Sequence, residues 1–477
     1  MTRARSGGSA ADGDVNQTAM PGLGRSRMLP GMVFAVILVL VTGRFFTERI
    51  VGFPHFINGI DMVAVPVMAL VFVMSSIGEG RRRFEGRRVI SLTGLFVLSW
   101  GCSWVMNYRE VNWIGALLLC VGLLTPIVLY LIVINASVDE QFTLRMIMLL
   151  NILFAVNLVI TLVETVRDFG SEEFIVLGTF GANQNQLAFF LAFMMAYHLA
   201  YWMYRGVSVF RACSLGVAAL MFLMAGFQTL WLVFAVACGV VFLCIRPSKR
   251  LVVIFVVVIV SVPLWSAVLE RLARFDLGQL LEVAEANFDE LGKVRLIRSA
   301  PVIWESRPLA VLWGVGPGTF NSRAFRTIAL IPSEGPFSGG RGDATDVAAA
   351  IIEPFYVNEL ADRFIIPWYG RTVSYFASGN VDAPHTSYIS IPVEVGLIGA
   401  LAIFGIYASV GIGLVRSVRS AADPRVRVLA AWALISLLML LGIATIDNYL
   451  ETTRYSILVW LAIAMWRVHS RPGPNGG

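Results

Sequence analysis

Ala383-Pro384-His385-Thr386-Ser387-Tyr388 closes a long polar stretch and runs straight into an apolar run over 389–415. That junction decides the fold. The run is longer than the roughly 20 residues needed to cross a hydrocarbon core, so 389–415 reads as a membrane-spanning helix. The polar stretch before it then becomes an extramembrane segment. The junction also sets a histidine at the membrane surface, where neutral imidazole can take up a proton near pH 7 and reach both water-borne and lipid-borne groups. His385 is therefore the first candidate for chemistry.

Outward from this junction the same pattern repeats. With 57% hydrophobic and 14% charged residues and a mean hydropathy of +0.75, the chain has too little polar surface to cover a water-soluble globule. An all-α polytopic membrane protein is expected. Apolar runs near 29–46, 60–77, 89–106, 111–134, 146–166, 186–204, 212–227, 230–245, 251–269, 387–415, 428–446 and 454–468 predict twelve spans. The expected organisation is a disordered tail over 1–27, spans one to nine within 28–269, an extracytoplasmic loop over 270–384, spans ten to twelve within 385–468, and a tail over 469–477.

The arginines orient it. Loops 79–88, 205–211, 246–250 and 416–427 are strongly basic, whereas the alternating loops 107–110, 227–229 and 447–453 are not. The positive-inside rule then puts both termini in the cytoplasm and 270–384 outside. It also accounts for the net charge of +6 without a nucleic-acid partner. All five cysteines fall in apolar runs and lack the paired spacing of a zinc site, which leaves packing as their reading.

The outer loop is too long for an ordinary connection. Its aromatic residues, among them Trp304, Trp313, Phe320, Trp368 and Tyr375, argue for order rather than a solvated linker. Leu280, Ala284, Phe288, Leu291 and Val294 recur at helical spacing, and Pro301 is expected to limit that helix. Arg295 and Arg298 stand three apart on one face of it, where like charges repel unless an anion lies between them. Two readings fit the pair. The guanidinium forks hold a diphosphate, or they anchor the helix among lipid head groups or pair with Glu290 and Glu305.

Gly314-Val315-Gly316-Pro317-Gly318 has the glycine density of a nucleotide loop, but Pro317, Pro332 and Pro336 break the helix and second strand that a dinucleotide fingerprint requires. A compact turn is expected. Glu394 lies nine residues past His385 inside an apolar run, where an ionisable group is functional or paired. On one regular helix the two would face opposite ways, so pairing needs an irregular start, which Pro392 makes possible. Glu164 and His198 lie near span ends, where snorkelling to the interface accounts for them. In Gly178-Thr179-Phe180-Gly181-Ala182-Asn183-Gln184-Asn185-Gln186 the asparagines are expected to cap the following helix.

Three segments in order carry a resemblance: 178–188, with its Gly-Thr-Phe-Gly-Ala-Asn-Gln-Asn-Gln-Leu-Ala; Arg295 and Arg298 followed by Arg307-Pro308-Leu309 and Gly314 to Phe320; and Pro384 to Tyr388 leading to Glu394-Val395-Gly396-Leu397-Ile398-Gly399. From about residue 60 to 465 the chain resembles the bacterial O-antigen ligase and polymerase family of membrane glycosyltransferases. The resemblance implies a catalytic His385, with Arg295, Arg298 and Glu394 toward the substrate. The implied donor is a polyprenyl diphosphate-linked glycan, and the implied acceptor a glycan or glycolipid. The setting would be the outer face of the inner (plasma) membrane, among its lipids. No cofactor is implied, and no carboxylate pair in the outer loop suggests a metal.

The chain departs from the pattern with Gln228-Thr229 where Ser-Arg is usual, with Thr386 where Asn is common, and with a long insertion over 332–382. Two other readings stand beside it. One is a twelve-span transporter, against which the lack of a six-plus-six repeat counts. The other is an inactive relative that binds lipid-linked glycan.

Overall fold

Every regular element among the described residues is helical. The computed structural model describes residues 28–44, 60–77, 84–109, 111, 113–136, 138–168, 177–180, 184–206, 208–225, 227–244, 300–320, 386–445 and 448–471. In chain order the helices are α1 (Met28–Arg44), α2 (Ile60–Ile77), α3 (Arg87–Met106), α4 (Trp113–Asn135), α5 (Glu140–Asp168), α6 (Gln184–Arg205), α7 (Val209–Met224), α8 (Gln228–Leu243), α9 (Ser387–Ser420), α10 (Pro424–Ile443) and α11 (Thr453–His469). Short 3-10 turns lie at Gly178–Phe180 and Tyr449–Glu451, and a helical turn at Ala310–Trp313.

Six of these helices are long and apolar enough to cross a membrane: α3, α4, α5, α6, α9 and α10. Four more apolar stretches, Leu29–Gly43, Val63–Val73, Arg211–Phe222 and Thr229–Leu243, are shorter. Of the twelve expected spans, the described residues show a helical membrane protein with six helices of spanning length. The predicted span at 251–269, the surface helix at 280–298, the tail over 1–27, the tail beyond 471 and residues 321–385 lie outside the described residues.

The sequence explains where helices start. Asp423 accepts a hydrogen bond from Arg425 N at 2.8 Å and is followed by Pro424 at the first helical position, the pairing that satisfies an orphan donor and presets φ. Asp139 Oδ1 likewise accepts from Phe142 N. Thr386 opens α9 with extended backbone, its side chain accepting from Tyr388 N.

α9 runs against α3, with Gly405 beside Leu92 and Val395 beside Ser99. α11 runs parallel to α4, from Gly122 facing the Glu451 backbone to the Tyr130 and Trp460 rings at 5.3 Å. Trp432 Nε1 donates to Phe193 O at 2.9 Å and ties α10 to α6. Residues 453–466 of α11 are all buried, making it the central helix. α5 instead leaves Leu144, Met148, Ile152, Val159, Val163 and Val166 exposed, an apolar face suited to lipid.

This arrangement gathers the starts of α4, α6, α9 and α11 at one end, here termed the Thr386 end. The opposite end carries described arginines of the basic loops, Arg205, Arg425 and Arg427 among them, with Glu85 bonded to Arg471 at 3.0 Å and Glu140 paired with Arg425 and, at 3.5 Å, His469.

Candidate functional site

At the Thr386 end α9 is broken. Gly396 has φ 74 and ψ 173 in the midst of otherwise helical backbone, a left-handed φ that glycine adopts without a Cβ penalty. The irregularity anticipated at Pro392 thus falls four residues later, at the residue free to take it. A break leaves carbonyls without intrahelical donors, and buried carbonyls need partners. Here they come from two directions. Val315 N donates to Val393 O at 2.9 Å and Gly316 N to Glu394 O at 3.2 Å. From α3, Ser103 Oγ donates to Glu394 O at 2.8 Å and Ser99 Oγ to Val395 O at 2.9 Å.

The glycine-rich loop fills the break closely. A Cβ on Gly314 would overlap Glu394 O, and one on Gly396 would overlap Leu312 O, so each glycine is required by backbone that adjoins the other. The turn expected from the sequence is therefore a plug. Glu394 completes it: the side chain is fully buried, and its carboxylate accepts from Gly318 N at 2.6 Å and Phe320 N at 3.1 Å. Hydrogen bonds to an ionised acceptor are the stronger kind. Asn107 Nδ2 donates to Gly314 O at 3.2 Å. Behind the loop, Ala300, Ile303, Ala310, Val315, Phe320 and Val393 form a small core of their own, with Ile389 packed on it. Residues 300–306 are helical, with Pro301 in the first described turn, and the helix that Pro301 is expected to limit lies outside the described residues.

A second set of polar contacts lines the same end. Thr386 Oγ1 and Ser387 N both donate to Ala444 O at 3.1 Å. Ser390 Oγ lies 3.0 Å from Asn448 Oδ1, and Leu450 N donates to Ser387 Oγ at 3.4 Å. The connector between α10 and α11 is thereby sewn to the first turns of α9. Arg454, in the first turn of α11, donates to Gln186 Oε1 at 3.0 Å, and both residues are buried. A buried guanidinium on the central helix of a membrane protein is costly and marks a site of function or pairing.

Of the residues singled out from sequence, Glu394 is described, and it holds the loop. Arg295, Arg298 and His385 lie outside the described residues. Glu164 and His198 do not snorkel. Glu164 is buried and accepts from Leu177 N at 2.9 Å and Gly178 N at 2.8 Å, while His198 is buried between the Phe154 and Tyr197 rings. Asn157 Oδ1 accepts from Thr179 N at 2.9 Å, so the turn at Gly178–Phe180 is held from α5, while Asn183, before the helix it is expected to cap, lies outside the described residues. Sequence reading passed over Ser99, Ser103, Asn448 and Arg454. Ser99 and Ser103 stand four apart in an apolar run, and Arg454 sits at the start of one; those are the signals that could have found them.

The fold and this end of it define a helical membrane protein with a loop-plugged helix break and a buried polar seam. No protein-family model matches the chain, and no characterised protein does.

Proposed function

We propose that the chain is a membrane glycosyltransferase of the O-antigen ligase or polymerase type. In this reading it has twelve spans, both termini are cytoplasmic, and 270–384 lies outside between the ninth and tenth spans. The observation that carries the reading is the shared small core at the Thr386 end. Ala300 and Val393 belong to it and Ile389 packs on it, while Arg298 precedes Ala300 by two residues and His385 precedes Ile389 by four. Two residues of extended chain span at most about 7 Å, and four about 14 Å. The arginine segment and the histidine segment are therefore tethered to the same packed unit, as a reaction needing both requires.

The chemistry follows from that pairing. A sugar hydroxyl of the acceptor attacks the anomeric carbon of the donor glycan and gives its proton to the His385 imidazole. The new C–O bond forms as the bond from that carbon to the diphosphate oxygen breaks, and the polyprenyl diphosphate leaves. Arg295 and Arg298 stabilise the charge that develops on the leaving oxygens, the larger part of such catalysis. Purified His385→Gln, compared per folded molecule with a polyprenyl diphosphate-linked glycan as donor, should turn over about 100-fold more slowly while still binding the donor. Turnover equal to wild type would remove the base. Mass spectrometry of envelope glycans after deletion separates the two products: single lipid-linked repeats accumulate for a polymerase, and full-length lipid-linked chains for a ligase.

A transporter is the second reading, because a broken helix with a buried carboxylate is a transporter feature. Those breaks lie near the bilayer midplane. Here the break contacts Ser103, three residues from the end of α3, and the plug packs on Gly115 at the start of α4, which favours the enzyme.

A further inference from the structure

A carboxylate that contacts substrate must be reachable, and Glu394 is not. Its side chain is 0% exposed and both oxygens face backbone donors of the plug. What it does reach is the segment that leads away from the arginines. Because α9 is interrupted at Gly396, the arm over 387–395 is not held in line by the helix below it. Its far end is fixed by Ser99, Ser103, Val315 and Gly316, and its near end by Ala444, Asn448 and Leu450. The arm is therefore oriented by what docks into the break. The loop over 314–320 is the larger part of that docking, and it is bound to the arm at both backbone and side chain.

We infer that Glu394 is a positioning residue: its carboxylate latches the 314–320 loop into the break of α9 and so fixes the packed segment over 300–320, which follows Arg298 in the sequence, relative to the arm over 387–395, which follows His385. The inference rests on the glycosyl-transfer reading for what the two segments do, but the latch itself stands on the hydrogen bonds. Its signature is particular. Each segment keeps its own side chains when the latch opens, so donor binding persists, whereas the alignment required in the transition state is lost. A fall in kcat with little change in KM marks an interaction of that kind. A carboxylate serving stability alone would lower the yield of folded protein and leave kcat per folded molecule unchanged.

The substitution is Glu394→Gln. The amide keeps the volume but turns an N–H₂ toward one of the two backbone donors, which removes one bond and adds a repulsion. A nitroxide on Leu309→Cys, an exposed position 63% accessible just before the loop, reports the loop directly in a background with the native cysteines replaced. Expected results are a more mobile spectrum for Glu394→Gln, a kcat at least 10-fold lower per folded molecule, and a donor KM within threefold of wild type. Glu394→Asp, which keeps the charge on a shorter stem, should recover part of both. Glu164→Gln, the matched change at a turn away from the break, should leave kcat within twofold. An unchanged spectrum together with unchanged kcat in Glu394→Gln would overturn the latch. A loosened spectrum in a protein whose wild type transfers no glycan would sustain the latch and sink the glycosyl-transfer reading instead.

Discussion

Two buried glutamates in this molecule do the same local job in unlike settings. Glu164, in the unbroken α5, accepts from Leu177 N and Gly178 N; Glu394, beside the break in α9, accepts from Gly318 N and Phe320 N. The first link joins residues 13 and 14 apart, the second residues 76 and 74 apart. For a flexible chain the longer closure costs about 1.5 kcal/mol more entropy, roughly the net value of one hydrogen bond. The Glu164 turn can be held by one carboxylate with help from Asn157. The Glu394 loop needs more, and receives it, since its own N–H groups satisfy the carbonyls that the break exposes. The local tie is one-sided, while the distant one is reciprocal.

That contrast can be broken at several points. The largest effect is expected at Gly396, where valine meets both a left-handed φ and the Leu312 carbonyl. Strain and overlap together should cost about 4 kcal/mol or more, seen as loss of monodisperse protein in detergent. Next come Glu394→Ala and Glu164→Ala. Each strands two N–H groups, all buried but the part-buried Leu177 N, at about 2 to 4 kcal/mol by chemical unfolding in mild detergent. If the two cost the same while only the change at Glu394 lowers turnover, the reciprocal reading is sharpened; if Glu164→Ala lowers turnover equally, the distinction fails. Ser99→Ala and Ser103→Ala remove single hydroxyl donors to the break and should each cost about 1 kcal/mol. A Cβ at Gly405 meets nothing nearer than Leu92 Cδ1 at 3.6 Å, so Gly405→Ala should change stability by under about 0.5 kcal/mol. A large cost there would show that close helix approach, rather than the break, governs α9.

How much of this was legible depends on what kind of signal each residue leaves. The helices were readable because hydrocarbon-length apolar runs have few alternatives, and the caps at Asp423-Pro424 follow from local chemistry. The glycine loop was readable as a turn from its composition. Its partner was not: Glu394 and Gly318 are far apart in sequence, and nothing along the chain announces that a loop will seat in a helix break. Glu164 misled for a related reason. A carboxylate near a span end is usually drawn to the interface, and only the packed Gly178 turn shows that its donors lie inward. Arg454 was passed over although its signal was local, since a charge opening an apolar run is costly wherever it points. Pro392 drew attention as the expected irregularity, but a residue with fixed negative φ continues a helix more readily than it reverses one.

The break in α9 also bears on how the protein meets bilayers of different thickness. Below Gly396 the section over 397–420 is about 36 Å long, enough by itself to cross a hydrocarbon core of about 30 Å with tilt to spare. The arm over 387–395 adds about 13 Å that spanning does not require. A thicker membrane should therefore rotate the lower section toward the normal while the arm stays sewn to Ala444 and Asn448. Hydrophobic mismatch, which in an unbroken helix is spread along its length, would be taken up at one glycine, and the surface on which the histidine segment begins would keep its orientation as the lipid beneath it changes.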